Sequence, residues 1–467
     1  MVGNPDFISP LPRDIIHAIF SFLPLKHAVK TSILSTLWKS IWIPIHLNLD
    51  VHDLDQVVSH EFSKEVTRII ATILMSCNGP QKLYLGVPLP KSEKVNLKLK
   101  NEWILMATMV EEKELHLNFT EGNLRDFNLI LDMKNPNHEN HFINTCTFAS
   151  LKILHLGSIT HLAKNMVEAL LSNCQHLEAL KLVKCNGLQR LDLRGGIHFE
   201  SFEMVDCPEV ININLSAPNL RSFRYHGVLP CIQIKETSSL TSALLDFGDG
   251  PGHSEFDCEE FISLLKALKD VEILTLTGWL LEWLCSAGVI FGKLEFQFSR
   301  LKEFWWIGSQ IDRTNRDSLA CFLNSTPSLE RLFIDINTQL SYIPCPLFHH
   351  YWHEPHLWMD YATVKCDALP LQHLKIILIA GFTKQEEELL LMDLLFKKAT
   401  MIKSMIVKSP QNESWRVEKI PSSRQLMQTW ISKWKFFSVS SVEYDEWVYK
   451  YVEEEYMDLY PAHSNVS

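Results

Sequence analysis

The amino-acid sequence predicts an α/β protein in which three short N-terminal helices precede a curved array of repeated strands. The first observation is a recurring segment, Leu-x-x-Leu-x-Leu or an aromatic equivalent, which returns roughly every 20–30 residues beyond residue 80. The second is a set of three apolar patterns with helical spacing within residues 6–48. With 467 residues, 46% of them hydrophobic, the chain is long enough to bury a core in more than one structural unit.

The first helix is predicted to begin at Leu11-Pro12, because proline at the first helical position loses only an N–H that has no partner there. Apolar residues then recur at helical spacing until Pro24 ends the helix. A short second helix follows Pro24, and Ser35 is placed to cap a third helix that carries Trp38. Three short amphipathic helices are therefore expected at the N-terminal end.

This segment resembles the plant-type F-box. The matching positions are Asp6, Ile8-Ser9, Leu11-Pro12, Ile15, Phe20, Phe22-Leu23-Pro24, Ala28-Val29, Thr31-Ser32, Leu34-Ser35, Trp38-Lys39-Ser40 and Ile41-Trp42. The resemblance implies docking onto the Skp-type adaptor of a Skp-cullin-F-box ubiquitin ligase, and through that adaptor onto a cullin. The residues implied to bind the adaptor are Leu11, Pro12, Ile15, Ile16, Ile19, Leu23, Pro24, Val29, Leu34 and Trp38. Arg13 and the pair Thr36-Leu37 depart from the family pattern at positions of surface type.

Residues 49–79 are expected to form a helical bridge, since Val66, Ile69, Ile70 and Ile73 recur at helical spacing. Residues 80–365 are predicted to form irregular leucine-rich repeats, in which each Leu-x-Leu is a short strand with two side chains in the core. The copies are Leu151/Leu154/Leu156, Leu177/Leu180/Leu182, Phe199/Phe202/Met204, Leu220/Phe223/Tyr225, Val271/Leu274/Leu276, Leu301/Phe304/Trp306, Leu329/Leu332/Ile334 and Leu371/Leu374/Ile376.

The side of the array opposite these strands is predicted to change along the chain. Asn165 to Ser172, Cys258 to Leu268 and Asp317 to Leu323 have the periodicity of helices. Between Leu182 and Tyr225 a second set of alternating apolar segments leaves no room for a helix. We therefore expect those coils to be backed by strands. Two cysteines that follow strands, Cys185 and Cys207, are expected to face inward as structural residues.

Residues 366–440 resemble the FBD region that closes many plant F-box and leucine-rich-repeat proteins. The resemblance is carried by Leu371-x-x-Leu374-Lys375 and Gly381-Phe382, followed by a predicted helix from Glu386 to Ala399 and a strand from Ile402 to Val407. It implies a terminal coil and cap, whose helix is expected to bury Leu389, Leu390, Met392, Leu395 and Phe396. Residues 441–467 are expected to form an acidic tail, either a solvated helix or a contact for a basic partner.

Two clusters contain residue types found in metal sites or phosphate-binding loops, but their spacing disfavours both kinds of site. His353-Glu354-Pro355-His356, within the histidine-rich segment 349–358, has one residue too few for the zinc-binding His-Glu-x-x-His helix and contains a proline. We favour a loop between coils over a metal site or a partner-binding loop. The cluster Gly248-Asp249-Gly250-Pro251-Gly252 lacks the Gly-Lys-Ser/Thr ending of a phosphate loop, so a turn is favoured. No catalytic residue, metal or cofactor is expected, and the chain is not expected to be an enzyme.

Charge and composition disfavour other classes of partner. The net charge of −11, without a basic run, argues against nucleic acid. The longest apolar stretches fall short of the ~20 residues that a membrane helix needs. The first residues lack a secretory pattern, and the 11 cysteines include no Cys-x-x-Cys pair, which favours reduced thiols. We expect residence in the nucleus and/or cytoplasm.

The leading hypothesis is a substrate-recognition adaptor of a ubiquitin ligase, whose repeats bind a target protein. The candidate target contacts are the outward side chains of the repeat strands, Lys152, His155, Lys181, Glu203, Arg224, Thr275, Trp305 and Arg331. The alternative is a scaffold or inhibitor that uses the repeats to bind a protein without delivering it for ubiquitination. A small molecule that fills a pocket on the array and joins it to the target is a third possibility.

Overall fold

The structure is a computed structural model of the 467-residue chain. The residues it describes are 174–235, 238–248, 250, 258–336, 370–420 and 430–451, the strands at 46–50, 82–86 and 114–118, residues 152–157, and the single positions 11, 12, 15, 162, 167, 168, 171 and 172. The chain forms two compact units. The first consists of Met1–Leu240 with Asp249–Glu255, and the second of Thr241–Gly248 with Phe256–Ser467.

The first unit contains a parallel sheet of repeat strands and a second, smaller parallel sheet. The repeat strands pair in the order β1 (His46–Asp50), β2 (Lys82–Gly86), β3 (Glu114–Asn118), β4 (Ile153–Gly157), β5 (Ala179–Val183), β7 (Ser201–Val205) and β9 (Ser222–His226). The second sheet has the order β10 (Cys231–Lys235), β8 (Asn212–Ser216) and β6 (Arg190–Arg194). The predicted strand-backed coils are confirmed, with β10 as an additional strand.

The second unit continues the repeats with helices between its strands. Its parallel strands are β11 (Ser242–Asp246), β12 (Ile273–Thr277), β13 (Glu303–Ser309), β14 (Arg331–Ile336), β15 (Ile376–Ala380) and β16 (Ser404–Lys408), followed by antiparallel β17 (Ser414–Lys419) and β18 (Trp434–Val439). The helices are α1 (Cys258–Ala267), α2 (Gly278–Ser286), α3 (Arg313–Leu323), α4 (Glu386–Lys398) and α5 (Ser441–Tyr451). Short 3-10 turns occupy Phe291–Lys293 and Trp430–Lys433.

In the first unit, each strand forms because apolar residues alternate with residues of other types along it. In β5, Leu180 and Leu182 are 1% and 0% exposed, whereas the residues between and beside them are partly exposed. Side chains on a strand point to opposite faces in turn, so this alternation buries one face of the sheet. Cys185 and Cys207 are buried as predicted, and their thiols lie 3.5 Å from the carbonyl oxygens of Val183 and Val205.

Successive coils are joined by the same pattern of backbone hydrogen bonds. The carbonyl oxygen of Lys152 accepts the N–H groups of Glu178 and Ala179, at 2.6 and 3.0 Å. The same arrangement, in which one carbonyl accepts two consecutive amides of the next coil, recurs at Glu178, Glu200, Thr241, Glu272, Lys302, Glu330 and Lys375. Each strand that begins at one of these joints is therefore fixed in position relative to the strand that supplies the carbonyl.

The helices of the second unit match the sequence predictions in part. The predicted helix from Cys258 is confirmed as α1, and α3 begins at Arg313, earlier than predicted, because Asp312 caps it by accepting the N–H of Asn315 at 2.8 Å. Helix α2 was not predicted. All of its residues are buried, including Trp279 and Trp283, so it has no polar face to give it a helical period.

Helix α4 occupies the segment that resembles the FBD region. Leu389, Met392 and Leu395 are buried as expected, but Leu391 is also buried and Leu390 and Phe396 are only partly so. The turn before it requires glycine, because Gly381 has a φ of +75° and an added Cβ would lie 2.0 Å from the Ile336 carbonyl oxygen. Within the described residues, no helix is both long and apolar enough to cross a membrane.

Candidate protein-binding surface

The first unit presents a row of polar side chains on the outward face of its repeat strands. In-register pairing places the central outward residue of each strand beside that of the next, and we call the four described positions the polar row: His155, Lys181, Glu203 and Arg224. All four side chains are partly exposed, and Lys181 Nζ lies 2.7 Å from Glu203 Oε1. Four of the predicted target contacts therefore lie together on one surface.

Charged pairs line the two margins of this face. Lys152, a fifth predicted target contact, pairs with Glu178 where the strands begin. At the opposite margin, His226 Nε2 lies 3.2 Å from Asp206 Oδ1. These side chains are about one-third exposed or more, and ion pairs in such positions contribute little to stability. They leave the surface polar and open to a partner with complementary charge.

The second unit presents the equivalent row, but its members are apolar with one exception. We call it the apolar row, and it consists of Leu244, Thr275, Trp305, Phe333, Leu378 and Ile406. Each of these residues is 6% exposed or less. The expectation that Thr275 and Trp305 are exposed is therefore wrong, because this part of the strand face is covered by other parts of the second unit.

Trp305 is fixed in the apolar row by a ring contact and by its N–H. Its ring stacks on Phe333 with centroids 4.2 Å apart, and its Nε1 donates to Glu303 Oε1 at 2.6 Å. The second oxygen of Glu303 accepts from Nε of Arg331 at 2.6 Å. Since Glu303 is fully buried, Arg331, another predicted target contact, also neutralises a buried carboxylate, and its side chain is 30% exposed.

The cover of the apolar row includes the end of β18 and helix α5. Val439 and Tyr444 belong to the same buried cluster, and Trp447 packs against it. The ammonium group of Lys408 lies 4.6 Å from the centroid of the Tyr444 ring. Burial raises the pKa of the Tyr444 hydroxyl above its ordinary value, and burial together with Asp246 raises the pKa of the Asp335 carboxyl. Burial is thus the main cause of both shifts.

Helix α5 lies in the segment predicted to be an acidic tail. The described part of that segment is helical, but it differs from the solvated helix expected, since Tyr444 is only 4% exposed. The sequence signal that could have shown this is the pair Tyr444 and Trp447, which share one face of a helix. The acidic residues indicated a solvated helix or a contact for a basic partner, whereas the observed contact is made by the aromatic residues.

Two ion-pair groups mark the edge where the strands of the second unit begin. Glu272 lies 2.8 Å from Lys302 and 3.0 Å from Arg300, and hydrogen bonds from these two cations lower the pKa of its carboxyl. A hydrogen bond from Lys375, at 2.8 Å, likewise lowers the pKa of Glu330. This edge remains ionised and partly exposed, unlike the apolar row beside it.

The structure describes few of the predicted adaptor contacts. Leu11 is partly buried, Pro12 is exposed, and Ile15 lies in a helical turn with 46% of its surface exposed. The remaining positions lie outside the described residues: Ile16, Ile19, Leu23, Pro24, Val29, Leu34 and Trp38. The histidine-rich segment 349–358 also lies outside them. Among the described residues, no group of three or more His, Cys, Asp or Glu side chains is arranged to hold a metal ion.

Comparison with known proteins identifies two regions of the chain. Residues 8–47 match the model of the F-box domain, and residues 76–433 match the model described as At1g61320/AtMIF1, LRR domain. The second match covers most of the chain, including the polar row and the apolar row. The predicted F-box and leucine-rich repeats are confirmed by these matches.

Similar proteins occur in Arabidopsis thaliana. F-box/LRR-repeat protein At5g02910 is 28% identical over 354 residues, which are 71% of this chain and 72% of that protein. F-box/FBD/LRR-repeat protein At4g26340 is 25% identical over 70% of this chain and 76% of its own length, and FBD-associated F-box protein At1g61320 is 27% identical over 56% and 57%. With a repeat array preceded by an F-box, this chain belongs to the At1g61320/AtMIF1 leucine-rich-repeat family of F-box proteins.

Proposed function

We propose that this protein is the substrate-recognition subunit of a Skp-cullin-F-box ubiquitin ligase. The observation that carries the proposal is the order of the two matched regions, an F-box at 8–47 followed by leucine-rich repeats at 76–433. The F-box would bind the Skp-type adaptor, and the repeats would hold a target protein. Other subunits would supply the chemistry, so the chain itself would act as an adaptor without an active site.

The mechanism is a gain in effective concentration. Tethering a target beside the ubiquitin carrier converts an encounter between separate molecules into an intramolecular one, which raises the effective concentration without any new contact. The receptor then needs two binding surfaces and no nucleophile. The outward polar side chains of the first unit would supply one of these two surfaces.

The target surface we propose is the polar row together with Lys152. Its mixed charges, with Lys181 beside Glu203 and with Arg224 next along the row, suit a polar protein surface in which positive and negative groups alternate. Thr275 and Trp305 are not part of this surface while the apolar row is covered. Arg331 lies at its own margin in the second unit and could contribute only through its exposed part.

The finer organisation is also part of the proposal. It assigns a three-helix F-box to residues 6–48, a helical bridge to 49–79, repeats to 80–365 and an FBD-like terminal coil and cap to 366–440. Two of the relatives carry FBD in their names, which supports the last assignment. We also propose that the protein acts in the nucleus and/or cytoplasm, where Skp-type adaptors and cullins would be encountered.

The adaptor half of the proposal is tested by binding of the purified full-length chain to a purified Skp-type adaptor. The double variant Leu11→Ala/Pro12→Ala is expected to lose most of the binding, while Lys152→Ala, in the repeats, is expected to retain it. No binding by the unaltered chain, or equal binding by the double variant, would overturn the proposal. A chain that binds target but no adaptor would be a scaffold or inhibitor instead.

The target half is tested once a partner has been found by proximity labelling in cells with and without proteasome inhibition. The variant Lys181→Glu/Arg224→Glu reverses two charges of the polar row and is expected to weaken partner binding more than tenfold. Arg190→Glu/Arg194→Glu is the matched control, since both are exposed arginines on the second sheet of the same unit. Equal loss in both variants would show that overall charge, rather than this surface, governs binding.

A further inference from the structure

The apolar row of the second unit is covered by a helix of the same chain, and the way in which it is covered indicates what else could bind there. We propose that the apolar row is a helix-binding groove that α5 occupies as an internal ligand. The external partner that fits it is an amphipathic helix with two aromatic residues three positions apart. That this partner helix belongs to the target protein rests on the proposed function, whereas the groove itself does not.

Helix α5 shows the pattern that the groove accepts. Tyr444 and Trp447 are three positions apart and so lie on the same face of the helix. Tyr444 is 4% exposed and Trp447 packs against the cluster that contains Trp305 and Phe333. Val442 lies 66% exposed, so α5 has one face toward the groove and another toward solvent. Two aromatic anchors on one helical face are a common way for a helix to bind a groove.

Among the described residues, α5 also makes polar contacts outside the groove. At 11 residues it is shorter than the ~12–15 residues at which isolated helices become stable in water, so its order depends on the groove. Outside the groove, Glu443 pairs with Arg416 at 2.8 Å, but both side chains are half exposed and such pairs contribute little. The Ser440 hydroxyl caps the helix by accepting the Glu443 N–H at 3.2 Å. Among the side chains of α5 that the structure describes, Tyr444 and Trp447 are therefore the apolar contacts with the groove.

One hydrogen-bonding group in the groove has no partner among the described residues. The Thr275 side chain is fully buried in the middle of the apolar row, and its hydroxyl has no hydrogen-bond partner among the described residues. Burying a hydroxyl without a hydrogen-bond partner is unfavourable. The covered groove therefore retains an unmet polar group, and a competing helix with a polar atom at that position would gain a hydrogen bond that α5 does not supply.

The surroundings of the groove also favour a helix over an extended peptide. The sheet edge is not available there, since β11 to β16 pair with one another in parallel and β17 follows β16 antiparallel. An added strand needs a free edge, whereas a helix needs only an apolar surface. The basic side chain at this end, Lys408, lies over the Tyr444 ring and would favour an aromatic residue in any helix that replaced α5.

The test is binding of a fluorescent synthetic peptide with the sequence of residues 440–451 to the full-length chain. The unaltered protein is expected to bind it weakly, because α5 competes at an effective concentration in the millimolar range. The full-length variant Tyr444→Ala/Trp447→Ala frees the groove and is expected to bind the peptide at least tenfold more tightly. Val442→Ala is the matched control and should behave like the unaltered chain.

Two results would overturn the proposal. One is a double variant that keeps its circular dichroism and cooperative unfolding but binds the peptide no better than the unaltered protein. The other is equal binding of a peptide that carries alanine in place of both aromatic residues. Neither measurement includes the adaptor, so failure here is distinct from failure of the ligase proposal.

Hydrogen exchange of the unaltered protein covers the case in which the double variant does not fold. The amides of α5 are expected to exchange faster than those of β15 and β16, because a displaceable helix opens locally. Excess unlabelled peptide should then increase their exchange further, since it competes for the groove. Protection of α5 equal to that of the central strands, with no effect of peptide, would show that α5 is a permanent part of the core.

Discussion

Each unit has an inward layer of buried apolar side chains on its repeat strands, and the two units differ in the outward side chains of those strands. In the first, Leu180 and Leu182 are buried on the inward face and Lys181 on the outward face is one-third exposed. In the second, Leu274 and Leu276 are buried on the inward face and Thr275 on the outward face is also fully buried. The inward residues set the coil because they form the core that every repeat requires. The outward residues are free of that requirement, so one strand pattern supports a polar surface in one unit and a helix-covered layer in the other.

The largest expected effect is that of removing the main aromatic residue of the apolar row. Trp305→Ala should lower the free energy of unfolding by about 3–5 kcal/mol, because it deletes a buried ring and leaves a cavity. Trp305→Phe keeps the stacking on Phe333 and should cost much less. Urea unfolding followed by circular dichroism measures both variants. If Trp305→Ala cost no more than an exposed substitution, the apolar row would not be a packed layer.

The second unit also buries an acid, Glu282, in helix α2. Burial raises the pKa of Glu282 to about 7, with Asp312 adding to the rise and a hydrogen bond from Thr314 opposing it. The folded state then holds a proton that the unfolded state has lost above its pKa of 4.5, so stability should fall as pH rises from about 4.5 to about 7. The shift corresponds to roughly 3 kcal/mol at most.

Glu282→Gln removes the charge but can still accept a hydrogen bond from Thr314. We expect the variant to be more stable than the unaltered protein at pH 8 and similar to it near pH 4, as measured by thermal unfolding across that range. A difference that does not change with pH would mean that the Glu282 carboxyl is not the group responsible.

Two threonines of β12 provide a comparison within one strand. Thr275 has a buried hydroxyl with no partner among the described residues, whereas the Thr277 hydroxyl accepts the Phe247 N–H at 2.7 Å. Thr275→Val should stabilise the protein by about 1–3 kcal/mol and Thr277→Val should destabilise it by a similar amount. Differential scanning calorimetry of the two variants gives the signs. A loss of stability in Thr275→Val would show that its hydroxyl is satisfied.

The smallest effect is expected in the polar row. Lys181→Ala removes an ion pair with Glu203 whose lysine is one-third exposed, and should change stability by less than about 1 kcal/mol. Added salt should reduce even that difference, since it screens exposed charges. Urea unfolding at low and high salt measures it. A loss as large as that of Trp305→Ala would remove the contrast between the two rows.

The repeat strands could be predicted from the sequence because each carries its own signal. Leu180 and Leu182 alternate with other residues, and this local pattern fixes which face is buried. Helix α2 could not be predicted, since Trp279, Leu280 and Leu281 follow one another with no polar face to reveal a period. A helical period of apolar residues appears in a sequence when one face of the helix meets the core and the other meets solvent. A fully buried helix has no solvent face and therefore shows no such period.

The candidate surface was predictable only in part, for a different reason. The sequence places Lys181 and Trp305 on equivalent outward positions, and the structure confirms that placement. Whether an outward residue meets solvent depends on a contact with Tyr444, well over a hundred residues later in the chain. No local pattern carries such information. The apolar character of Phe333, Leu378 and Ile406 was the available indication that this part of the face is covered.

The joint between coils has a consequence for how such a chain can change in length. At each joint of this kind, one carbonyl of a coil accepts two consecutive amides of the next coil, as at Glu272 and again at Lys302. These joints therefore have the same hydrogen-bond pattern. Gain or loss of a whole coil leaves an intact joint behind, whereas proline at either donor position would remove an amide and break it. Length variation should therefore accumulate by complete coils and in the connections between joints, and the duplicated coil is the natural unit of growth.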